Sequence, residues 1–71
     1  MDKKYYVFFK MNTKYEGKYA IEVAPNISTA QMQVLNKYGV WNYSKITGDE
    51  PWALNNIKLH GYTPLDEQKH G

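Results

Sequence analysis

The 71-residue chain contains no cysteine and no arginine. Without cysteine there are no disulfide staples and no thiolate metal ligands, and a reducing, cytoplasmic setting is expected. Without arginine the chain lacks the side chain that most often reads guanine edges and clamps phosphates bidentately, which argues against sequence-specific DNA recognition. All nine lysine and arginine positions are lysine, with six asparagines and seven tyrosines beside them, a composition that an A·T-rich genome also produces. Nothing approaches the ~20 consecutive apolar residues of a membrane span, so no membrane partner is expected. The charged start, Met1-Asp2-Lys3-Lys4, runs into aromatic residues with no small-residue cleavage site, and reads as the beginning of a strand and not as a signal peptide. A net charge of +2 is too small to select a class of partner. At this length the chain forms one domain that buries roughly 60% of the surface its unfolded state exposes.

What the chain does contain is a clearly punctuated helix at residues 27–39. Ser28 and Gln31 have the spacing of a capping box, and Ile27 with Met32 that of a hydrophobic staple. Lys37 sits in the last turn, where the helix dipole favours a cation, and Gly39 follows as the expected C-terminal stop. Ile27, Gln31, Val34, Leu35 and Tyr38 fall near one face. A helix this short is not stable alone and must lie on a sheet.

Before it, residues 5–11 are dense in aromatic and β-branched side chains, as strands are. Tyr5, Val7, Phe9 and Met11 share one face, and Tyr6, Phe8 and Lys10 the other. A polar loop ending at Gly17 turns the chain. Residues 18–24 then alternate, with Tyr19, Ile21 and Val23 against Lys18, Ala20, Glu22 and Ala24. After the helix, residues 40–47 read as a third strand with Trp41 and Tyr43 on one side. Residues 48–51 form a turn. Residues 51–60 admit two readings: a short turn at Trp52 followed by a fourth strand through Ile57, Leu59 and Tyr62, or one helix beginning at Pro51 with Asp49 as its cap. The first is preferred because two adjacent asparagines, Asn55 and Asn56, suit a turn. The expected fold is therefore α+β: an antiparallel sheet of three to four strands, ββαβ extending to ββαββ, with one helix packed on one face. The inward face is assigned Val7, Phe9, Ile21, Val23, Ile57 and Leu59 against Ile27, Val34, Leu35 and Tyr38. The domain covers residues 1–63, and residues 64–71 read as a polar, flexible tail.

Catalytic and metal chemistry find little footing. His60 and His70 are the only histidines and neither has a partner at metal-ligand spacing. Ser28 is committed to the cap, and Ser44 has no histidine near it in sequence. Asp49-Glu50 and Asp66-Glu67 are adjacent pairs whose side chains diverge in extended chain. The glycines form no phosphate-binding array. No enzyme, no metal and no cofactor is expected.

A surface remains. If one helix covers one face of the sheet, Tyr6, Phe8, Lys10, Lys58, His60 and Tyr62 lie on the other, beside a loop carrying Asp49, Glu50 and Trp52. These nine are the candidate binding residues. Exposed aromatics fit a protein interface; rings interleaved with lysines also fit a stacking platform for single-stranded nucleic acid. A third outcome is structural: Tyr6 and Phe8 are covered by Trp52 or the tail and form a second small core. The ββαβ order resembles that of some small phage-encoded inhibitors, including one class of uracil-DNA glycosylase inhibitor. The resemblance is one of layout, implies a protein that binds and blocks another protein, and carries over no site residue. Inhibitors that mimic DNA are strongly acidic, which this chain is not. The expected function is a small non-enzymatic protein, encoded by a phage or mobile element, that binds and inhibits or regulates a protein of host or defence origin. Nucleic-acid binding is the alternative, and the chain is a monomer or a homodimer.

Overall fold

The computed structural model describes residues 1–39 and 42–65. In chain order these form β1 (Lys3–Phe9), β2 (Lys18–Ala24), α1 (Ile27–Tyr38), β3 (Tyr43–Thr47), α2 (Glu50–His60) and β4 (Thr63–Pro64). The fold is α+β. Its sheet runs β3-β1-β2-β4, with β1 antiparallel to both neighbours and β4 parallel to β2. The sheet is thus mixed, where an antiparallel one was expected. Val40, Trp41, His70 and the Asp66-Glu67 pair lie outside the described residues.

The hairpin and α1 form as their sequence suggests, with two corrections at the helix start. The cap is Asn26, not Ser28. Asn26 is extended, with φ −157°, and its side-chain oxygen accepts the Thr29 amide at 2.8 Å. Ser28 lies inside the first turn, where its oxygen has no cap to make. Ile27 and Met32 are both exposed, so no staple closes over the entry. At the other end Gly39 adopts φ +96° and donates its N–H to the Leu35 carbonyl. A Cβ there would meet the Asn42 side chain at 3.0 Å, so both backbone and space call for glycine.

Residues 50–60 form a helix and not a turn plus strand. Asp49 caps it, accepting the Trp52 amide at 3.2 Å, and Pro51 sits in the first turn, where its missing N–H costs nothing. Gly61 ends it in the left-handed conformation, φ +71°, with its N–H on the Ile57 carbonyl. Asparagine in a helix interior costs under about 0.7 kcal/mol, too little to outweigh caps at both ends. The fourth strand comes later and is short. Thr63 donates to the Gly17 carbonyl and Leu65 to that of Tyr19, and Leu65 packs on the core.

Strand connections explain where the helices lie. The β2–α1–β3 connection crosses β1 in one direction, and β3–α2–β4 crosses back over β1 and β2. Both join parallel strands. Such crossovers are right-handed almost without exception, and two of one hand running in opposite directions put their helices on opposite faces. The core divides accordingly. Tyr5, Val7, Phe9, Ala20, Ala24 and Ile46 pack with Ala30 and Val34 of α1. Tyr6 and Phe8 pack with Ala53 of α2, with Tyr19, Ile57 and Tyr62 around them.

The expected face of β2 is inverted. Tyr5 pairs with Glu22, and Val7 with Ala20, so the even residues of β2 share the α1 face. Ala20 and Ala24 let the helix approach closely, and Glu22 is buried there with Lys37 Nζ at 3.1 Å from its carboxylate. Ile21 and Val23 point to the α2 face and stay exposed, as does Leu59. Replacing Asn26 by alanine should cost about 1 kcal/mol in chemical denaturation, while Ser28→Ala changes stability by far less. Equal losses, or a larger one at Ser28, would place the cap where the sequence spacing first suggests.

Candidate functional site: the outer surface of the second helix

The face expected to be open is closed over its aromatics. Tyr6 is 3% and Phe8 1% exposed, so neither offers a ring to a ligand. Of the outcomes open to the sequence, the second small core is the one formed. Phe8 is its centre. The Trp52 ring meets it edge-on with centroids 5.8 Å apart and planes at 83°, and Tyr62 lies 5.0 Å away. Burying a phenylalanine is worth about 1.5–3 kcal/mol in transfer alone, and edge-to-face pairs add about 0.5–1.5 kcal/mol.

A polar tie fixes the N-terminal end of α2. The Tyr6 hydroxyl donates to Glu50 Oε2 at 2.6 Å, and Lys4 Nζ lies 3.4 Å from the same oxygen. The hydrogen bond to the Glu50 carboxylate, helped by burial, pushes the Tyr6 hydroxyl up to about 12. That bond and Lys4 together hold Glu50 below its ordinary value.

The structure gathers most of the remaining candidates on α2. Asp49 is its cap, Glu50 and Trp52 lie in its first turn, Lys58 and His60 in its last. Tyr62 follows, its ring 6.1 Å from that of His60. Lys10 stands apart, just past β1, where its backbone N–H donates to the Asn42 carbonyl. His60 and Tyr62 also border an open cavity of about 250 Å³ with Phe9, Met11, Glu16 and Gly17. That is below the roughly 300–1,000 Å³ of a typical ligand pocket. Among the described residues no group of three or more His, Cys, Asp or Glu could hold a metal ion, and no helix is long and apolar enough to cross a membrane.

What stands out is apolar surface. Trp52 is 40% exposed with Lys45 Nζ 5.0 Å from its ring centre. Leu59, seven residues on and so on the same stripe of the helix, is 71% exposed. Leu54 is exposed on the opposite flank. Leu59 is expected inside and Leu54 is not among the nine candidates, although the spacing carries the signal. Trp52, Leu54, Ile57 and Leu59 are spaced two, three and two apart. Each pair two apart reads as strand alternation, with a turn at the step of three between them, but on a helix neighbours two apart diverge by about 200°, so some must face out. Comparison with protein-family models, with curated proteins and with solved structures gives no match to this chain.

The Tyr6–Glu50 tie sets a pH window for stability. Glu50 titrates lower in the fold than in the unfolded chain, so its contribution is present above the ordinary carboxylate range and is lost as pH falls through its folded value. Tyr6 titrates higher, so its contribution is present below about 10 and is lost between about 10 and 12. Denaturation curves across pH should show a plateau with both shoulders, and Tyr6→Phe should flatten the alkaline one. An alkaline limb identical in the two proteins would show that the tie carries no stability.

Proposed function

We propose that this chain is a non-enzymatic protein-binding module that presents the outer surface of α2 and acts by inhibiting or regulating the protein it captures. The observation that carries this reading is Trp52. Its ring is half-exposed yet held between Phe8 beneath and Lys45 alongside. A large aromatic already fixed in place loses little entropy on binding, which is the character of interface hot spots. Leu59 extends the apolar stripe, and Asp49, Glu50 and Lys58 supply the charged surround that interface rims have.

Burial of Tyr6 and Phe8 weighs against the nucleic-acid alternative, because a stacking platform needs rings that bases can reach. The lack of cysteine supports a reducing cytoplasmic setting. An origin in a phage or mobile element, with a host or defence protein as target, draws on the ββαβ portion of the element order, to which α2 and β4 are here added.

Capture from bacterial lysate on immobilised protein tests the reading. The wild type should retain a protein that Leu59→Glu and Trp52→Ala both release. The Trp52 variant should weaken affinity for the identified partner by about 2 kcal/mol, some thirtyfold, and Leu59→Glu should leave the thermal melt unchanged. Capture that is indifferent to both substitutions, or salt-sensitive binding of labelled oligonucleotides in its place, would overturn it.

A further inference from the structure

Among the described residues, one corner is uncovered on its face and along its edge at once. β4 pairs only with Lys18 and Tyr19, so among the described residues no strand pairs with the outer edge of β2 from Ala20 to Ala24. The bonds from Thr63 to the Gly17 carbonyl and from Leu65 to that of Tyr19 show that the odd residues aim their main-chain groups outward. Ile21 and Val23 therefore present N–H and C=O along that edge. Their side chains, on the α2 face, are 39% and 53% exposed. Leu54, on the flank of α2 away from Lys45 and so toward β2, is exposed as well. The other outer strand, β3, has the usual protection of an edge, with Lys45 exposed and a register break opposite Phe8 and Phe9. β2 has none.

The sequence of this edge says what fits it. Ala20-Ile21-Glu22-Val23-Ala24 reads nearly the same in both directions. We propose that the edge pairs with the same edge of a second copy, antiparallel and centred on Glu22, joining two sheets into one across a two-fold axis. In this register Ile21 faces Val23 of the copy, and each such pair exchanges both main-chain hydrogen bonds. Small residues meet small and β-branched meet β-branched, the cross-strand pairs that stabilise sheets. The two Glu22 carboxylates come together, each already carrying its Lys37 at 3.1 Å, so the cluster is neutral. Gln33 fits too. With its nitrogen turned to Glu22, at 2.9 Å, its amide also lies 3.3 Å from the Val23 carbonyl, and a carbonyl oxygen has two lone pairs to share. The two-fold covers Ile21 and Val23 and leaves Trp52 and Leu59 free, so dimerisation and the use of α2 are independent.

Sedimentation equilibrium on the full chain tests this. The mass should rise with concentration from 8.3 kDa to twice that. Ile21→Lys, a change at an exposed position, should remain monomeric with its circular dichroism intact. Register is read by oxidation. Residues that face each other in a hydrogen-bonded pair have Cα atoms ~5.5 Å apart, within disulfide reach. A mixture of Ile21→Cys and Val23→Cys chains should cross-link as the mixed dimer in preference to either chain alone. A wild type that stays monomeric at the concentrations used for NMR, a dimer unmoved by Ile21→Lys, or cross-linking without preference for the mixed pair would overturn the proposal.

Discussion

β1 is buried on both faces, and the rest of the fold follows from that. Tyr5, Tyr6, Val7, Phe8 and Phe9 are all buried in succession. A strand that projects large apolar side chains alternately to both sides cannot leave either side wet. One helix hides Tyr5, Val7 and Phe9. A second must hide Tyr6 and Phe8. The chain meets that demand by sending β2 and β3 to either side of β1 and returning over the back of the sheet, so the two helices occupy opposite faces.

The same constraint shows which parts of the structure were legible in the sequence. The hairpin, α1 and the Gly39 stop were plain because several local signals agreed. The second helix was harder, because Trp52, Leu54, Ile57 and Leu59 mimic strand alternation and their spacing defines no single apolar face. The decisive clue lay far from α2, in residues 5–9. An unbroken apolar run is the mark of a strand covered on both sides, whereas a strand with one wet face alternates. Taken that way, Tyr6 and Phe8 would have required a second cover, and residues 50–60 with caps at both ends were the segment available.

β2 teaches the complementary lesson. Its alternation is clear, but alternation alone does not say which set faces in. The pairing register decides it, and so does the need of α1 to approach the sheet over Ala20 and Ala24. Glu22 goes inside because Lys37 reaches it there. Ile21 and Val23 are left outside, and this apparent mismatch is why that corner stands out as a surface. The candidate site changed in the same way. Asp49, Glu50, Trp52, Lys58 and His60 fall together on α2, Lys10 stands apart, and Tyr6 and Phe8 are the floor on which that helix stands.

The claim on which all of this rests is that α2 closes the Tyr6–Phe8 face and leaves Trp52 and Leu59 outside. Solvent paramagnetic relaxation measured by NMR on the side chains tests it directly. A soluble gadolinium chelate should relax Trp52 and Leu59 strongly, while the rings of Phe8 and Tyr6 and the methyl of Ala53 stay protected. Strong relaxation of the Phe8 and Tyr6 rings, with Leu59 protected in their place, would contradict the account and restore the open sheet face.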